Sequence, residues 1–178
     1  MEKVAWLVLT VVTLVAAISA RWRPRALIVG RVTLGIYYVA AGALVNAVYL
    51  ATGQTYATFA DAAHVSFVRD TWRSLVAPHQ VLFIGLLVVV EATMGVLVLL
   101  GGRWAELGMA GILAMHAGLL MFGWIYTVFS AVMLVTVGLL LRAQLLADRH
   151  ASPAHDRRRR HSRGSPHRLY LIDSPEQT

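Results

Sequence analysis

The chain has 178 residues, of which 58% are hydrophobic and 14% charged, with a formal net charge of +7. Soluble domains are about 45–50% apolar and about 25% charged, so this composition excludes an ordinary soluble globular protein and points to a small polytopic membrane protein. With no cysteine, a disulfide, a dithiol redox centre, a thiolate nucleophile and an iron–sulfur cluster are excluded as well.

Residues 4–20 are an uncharged, mainly apolar run closed by Arg21, Trp22, Arg23, Pro24 and Arg25, a basic and helix-breaking flank. The run reads as a first transmembrane helix. Its rival is a cleaved signal peptide, which the small residues Ala16, Ala17, Ser19 and Ala20 would suit, but Glu2 cancels Lys3 where a signal needs a positive start. Residues 26–50 form a second helix, with Arg31 near its start and Asn46 near its end. Residues 52–77 are polar and aromatic, and Val65, Val68, Trp72, Leu75 and Val76 recur at helical spacing, as expected of a segment lying on the membrane surface. Phe67 and Trp72 read as its interfacial anchors. Asp61, His64, Arg69, Asp70, Arg73 and His79 dress the same end as a solvated face or a docking surface.

Pro78 suits the first turn of a third helix, which runs to Leu100 with Glu91 as its only acidic residue, and Gly101, Gly102 and Arg103 turn the chain. Residues 107–141 contain His116 as their only acidic, basic or histidine side chain and would extend about 52 Å as one helix, too long for a single span. Gly123, Trp124 and Tyr126 mark a turn at the headgroups that splits the stretch into helices four and five. In helix four, Ala110, Ala114 and Gly118 form a small-residue stripe expected at a close helix contact. Residues 147–178, including Arg157, Arg158, Arg159 and Arg160, read as a disordered basic tail that attracts anionic membrane lipids.

The expected architecture is therefore all-α, a polytopic membrane helix bundle of five transmembrane helices. Residues 1–25 supply the first helix and basic turn, 26–146 a four-helix membrane domain with its outer loop at 52–77, and 147–178 the tail. Arg21, Arg23, Arg25, Arg31, Arg103, Arg142 and the tail arginines fall on one side, and only Lys3, Arg69 and Arg73 on the other. The positive-inside rule then gives an outer N-terminus and an inner C-terminus.

A charge in hydrocarbon costs at least about 2.5–3.5 kcal/mol, which makes Glu91 a functional candidate. Counted along their helices, Glu91 and His116 reach a similar depth, about 14 Å from the inner end, and Arg31 enters from that side. These three are expected to converge in one polar cluster, a charged Arg31–Glu91 pair with His116 as an extra hydrogen-bond partner whose proton can move near neutral pH. Each also has a structural reading: Arg31 as a snorkelling residue, His116 as a satisfied packing histidine, and Glu91 as a buried ion-pair member or a protonated acid. No HExxH, CxxC or carboxylate-rich motif occurs, and His79 lies about 18 Å from the level of His116, so neither a metal centre nor a haem clamp is expected. The arginine run has no interleaved aromatic stack, and nucleic acid is not an expected partner.

Arg31, Gly35 and Gly42 in the second helix, followed by Glu91, Gly95 and Leu99-Leu100-Gly101 in the third, resemble the DoxX family of small bacterial membrane proteins over residues 27–146. The resemblance implies a four-helix bundle in the bacterial plasma membrane, to which the first helix and the tail are additions. It also implies a membrane subunit or anchor of a quinone-linked or thiol-related redox complex, with a quinone as ligand, redox proteins as partners, and Arg31 and Glu91 as the polar pair; under that reading Glu91 and His116 would handle a proton or a quinone oxygen and Arg31 would hold the carboxylate ionised. The chain departs from many relatives after the second glycine, where Val45 and Asn46 stand in place of a lysine. Two other functions stay open: a non-enzymatic structural or assembly protein, and a small-solute transporter, against which no inverted repeat is visible.

Overall fold

A computed structural model describes residues 2–163, and among these the regular elements are all helical. Helix α1 spans Glu2–Ser19. Helix α2, Pro24–Ile36, passes without a break through a π-helical segment, Tyr37–Leu44, into α3, Val45–Ala51. After the connection, the short helix α4, Ser66–Thr71, leads into a π-helical turn at Trp72–Val76, as the apolar spacing there predicts. Helices α5, Gln80–Leu100, α6, Gly102–Leu119, and α7, Trp124–Arg163, complete the chain. Three stretches are long and apolar enough to cross a membrane: Pro24–Ala51, Gln80–Leu100 and Trp124–Arg149. The apolar part of α1, Trp6–Ser19, is shorter. On α5, Leu82, Leu86 and Val89 are 68%, 58% and 60% exposed, an outer face suited to lipid tails and not to water.

Local chemistry sets the element ends. Pro24 occupies the first turn of α2, where its fixed φ is preorganised for the helix and its missing N–H costs nothing. Gly123 has φ +113°, and a Cβ on it would sit 2.6 Å from the Ala62 carbonyl oxygen. This is the expected break within 107–141, set by backbone conformation and by the close passage of the connection at Ala62.

Helix α1 packs on α2, α2 and its π-helical continuation on α5, and α5 on α6. Helix α7 meets α2 where Leu140 covers Gly30, and α6 where Ser130 bonds His116. Leu34, Val98, Met109, Ile112, Val137 and Leu140 are fully enclosed at the centre. In lipid such a core is held by close packing more than by exclusion of water, because the tails outside are equally apolar.

The structure corrects the small-residue stripe. Ala110, Ala114 and Gly118 are exposed, and α6 instead buries Ala105, Gly108, Met109, Ile112 and His116. Alanine tolerates lipid, whereas an imidazole needs partners within the protein, so the rotation of α6 follows His116. Chain contacts separate residues 1–146, which hold the bundle, from 147–178. In the second unit the chain is helical through Arg163, where composition predicts disorder. Residues 164–178 of the expected tail lie outside the described residues.

Candidate functional site

A cavity of about 370 Å³ lies within the bundle, lined by the π-helical segment, α5, α6 and α7, with Tyr56, Phe59 and Trp72 of the connection along its wall. Glu91 and His116 both line it.

On one wall, Glu91 is 8% exposed and its Oε2 accepts a hydrogen bond of 2.9 Å from Asn46 Nδ2. Tyr56 donates its hydroxyl to Asn46 Oδ1 at 2.9 Å, so both ends of the Asn46 amide are used. The Tyr56 backbone N–H donates to Gln80 Oε1 at 3.1 Å, and Trp72 Nε1 donates to the Tyr56 carbonyl at 2.8 Å. A continuous chain of bonds thus joins Trp72, Tyr56, Asn46 and Glu91. Gly42 makes room for it, since a Cβ there would lie 3.2 Å from the Glu91 carboxyl carbon. Burial, and then the Glu91 carboxyl, push the Tyr56 phenol above its ordinary pKa and keep it a donor near neutral pH.

On another wall, the Tyr38 hydroxyl lies 2.6 Å from His116 Nε2, and His116 Nδ1 lies 3.1 Å from the Ser130 hydroxyl. A neutral imidazole has one donor and one acceptor, and two hydroxyls satisfy both. Tyr38→Phe leaves Nε2 unpaired in a closed site, so this variant is expected to lose about 1–3 kcal/mol, with much of the loss recovered when His116→Leu is added. Thermal melting of the purified variants in mild detergent checks both.

The walls between are aromatic. Phe59 stacks on Trp72 with ring centroids 4.9 Å apart and lies 4.7 Å from Tyr126 and 5.3 Å from Phe122. The connection is held over this cluster by the His64 backbone N–H, which donates to the Met121 carbonyl at 3.0 Å, and is braced within itself by an Arg73–Asp61 ion pair at 2.6 Å.

Arg31 does not join the cluster. Its Nη1 lies 3.5 Å from Gln144 Oε1, and its guanidinium packs against Gly101 beyond the end of α5, ten residues, or about 15 Å, from Glu91. The side chain extends towards the bundle end, as a long cationic residue near a helix terminus does. Asn46 takes the place beside the carboxylate. Gly101 has φ +82° and ψ −178°, a conformation open essentially to glycine, and a Cβ would meet the Arg31 guanidinium. Gly101→Ala is expected to cost about 1–3 kcal/mol, read as a lower melting temperature.

Trp72, expected with Phe67 to anchor the connection, lines the cavity, while Phe67 is 74% exposed. Tyr38, Tyr56 and Ser130 carried no sequence signal beyond their polarity. Among the described residues, no group of three or more His, Asp or Glu is placed to hold a metal ion.

In comparison with known proteins, the chain matches no family model, no curated protein and no solved structure.

Proposed function

We propose that this chain is a DoxX-like, five-span protein of the bacterial plasma membrane, N-terminus outside and C-terminus inside, that binds a quinone as the membrane subunit or anchor of a redox complex. Helices α1 and α6 join the three longer helices as spans. The observation that carries this reading is the cavity, where Glu91 with Asn46 and His116 with Tyr38 face one aromatic chamber. Aromatic faces favour a flat ring at stacking distance. The Tyr38 hydroxyl, oriented by His116, and the second amide hydrogen of Asn46 are able to bond a ring oxygen, and Glu91 is the acid–base group for the proton. Oxidation of a hydroquinone releases two protons and two electrons. The chain has no cysteine to carry the electrons, so they pass to a redox partner protein. Arg31 then positions the α5 end and takes no part in the chemistry.

The test is a quinone titration followed by fluorescence of Trp72 in a variant whose other four tryptophans are phenylalanine. Saturable quenching is expected; quenching that only rises linearly with quinone contradicts the site.

One observation favours a second reading. Among the described residues no lysine or arginine lines the cavity, which offers a single carboxylate among aromatic rings. Ring faces and a carboxylate together attract an organic cation, as in a small-solute transporter. Tighter saturation by tetraphenylphosphonium than by quinone in the same titration selects this reading.

A further inference from the structure

Helices α1 and α2 are joined by a short turn, and both line an outer groove of about 910 Å³ that shares no residue with the central cavity. Val11 and Val15 of α1 and Val29 of α2 line it and are 49%, 58% and 49% exposed. The floor is shallow because Ala16 packs close to Gly30. From Val11 to Ser19 the groove follows α1 for about 12 Å. One end is different in kind. Trp22, Arg23 and Arg25 form it, all exposed, and no acidic residue lines any part of the groove. The Arg21 guanidinium stacks over the Trp22 ring at 3.4 Å, holding the indole at the mouth, while no ion pair engages Arg23 or Arg25 among the described residues.

We propose that this groove is a binding site for an anionic diacyl phospholipid, with one acyl chain along the valines and the phosphate at Arg23 and Arg25. An apolar trough suits any chain, but its basic end selects the headgroup. Two unpaired guanidiniums beside a tryptophan at headgroup level match a lipid with net negative charge and mismatch the choline of a zwitterionic one. The first turn of α2, whose N-cap position is Arg23 and carries no side-chain cap, adds a positive helix end at the same point. The site is separate from the quinone cavity and stands or falls independently of it.

The test is native mass spectrometry of the delipidated full chain with phosphatidylglycerol and phosphatidylcholine of identical acyl chains. The wild type is expected to bind phosphatidylglycerol at least tenfold more tightly. Arg23→Gln with Arg25→Gln removes most of that preference, and Val15→Trp, which fills the trough, weakens both lipids. Replacing Arg157, Arg158, Arg159 and Arg160 with glutamine leaves the preference in place. Melting temperatures close to wild type for these exposed positions show that the variants are folded. Four results overturn the proposal: equal affinity for the two lipids, a preference that survives loss of Arg23 and Arg25, a preference abolished by the tail variant, or a lipid-free dimer in which a second copy covers the groove.

Discussion

Glu91→Leu is expected to weaken quinone binding by about 10–150-fold, the range that follows from losing one hydrogen bond to a carboxylate worth about 1.5–3 kcal/mol. The loss spreads along the bonded chain. Without its acceptor, Asn46 no longer has a fixed orientation, Tyr56 loses the partner that Asn46 orients, and the segment that lines the chamber with Trp72 is less firmly held. Glu91→Gln separates binding from proton handling. An amide oxygen still accepts from Asn46, so the melting temperature and quinone affinity should remain near wild type while quinone-linked turnover with the redox partner fails. Turnover and pH dependence unchanged in Glu91→Gln would remove the proton role from Glu91.

The second large effect is structural. Gly35 and Gly95 bring α2 and α5 together: a Cβ on Gly95 would lie 2.9 Å from the Gly35 carbonyl oxygen and 2.7 Å from Val39, and one on Gly35 would lie 3.0 Å from the Gly95 carbonyl oxygen. Backbone cannot swing aside as a flexible side chain does, so the two helices must separate. Gly95→Ala is expected to cost about 1–3 kcal/mol as an overpacking substitution, and Gly95→Leu to prevent recovery of folded protein. Gly85 lies on the same helix with nothing within 4 Å of its Cβ position, and Gly85→Ala is the control expected to melt like wild type. Equal melting temperatures for Gly95→Ala and Gly85→Ala would contradict the close contact. Tyr38 shares that contact, so Gly95 also sets the position of the hydroxyl that bonds His116.

Long uncharged runs and their flanks made the helices legible, and Gly123 beside Trp124 located the turn between α6 and α7. Glu91 and His116, which counting at a fixed rise per residue puts at a similar depth, both line the cavity, but each bonds its own partners and not the other. Arg31 shows the limit of that arithmetic, because depth fixes the Cα while a long side chain chooses its direction, and here it extends to Gly101. The faces of the second helix were harder to read. The π-helical segment Tyr37–Leu44 has wider turns than an α-helix, so a periodicity of 3.6 carried from Arg31 through it misplaces the face of Asn46. Trp72 was ambiguous for another reason: an aromatic residue near a membrane surface has the same local pattern whether it faces headgroups or closes a chamber. Only the tertiary placement of the connection, pinned at Met121 and Gly123, decides between them.

Photoaffinity mapping with an azidoquinone tests the chamber most directly. After irradiation of the protein in native membranes, adducts should concentrate on peptides containing Tyr56, Phe59, Trp72 and Phe122, and excess native quinone should suppress them. Adducts confined to the lipid-facing residues Leu82, Leu86 and Val89, or labelling of the chamber that native quinone does not suppress, would contradict a quinone site there.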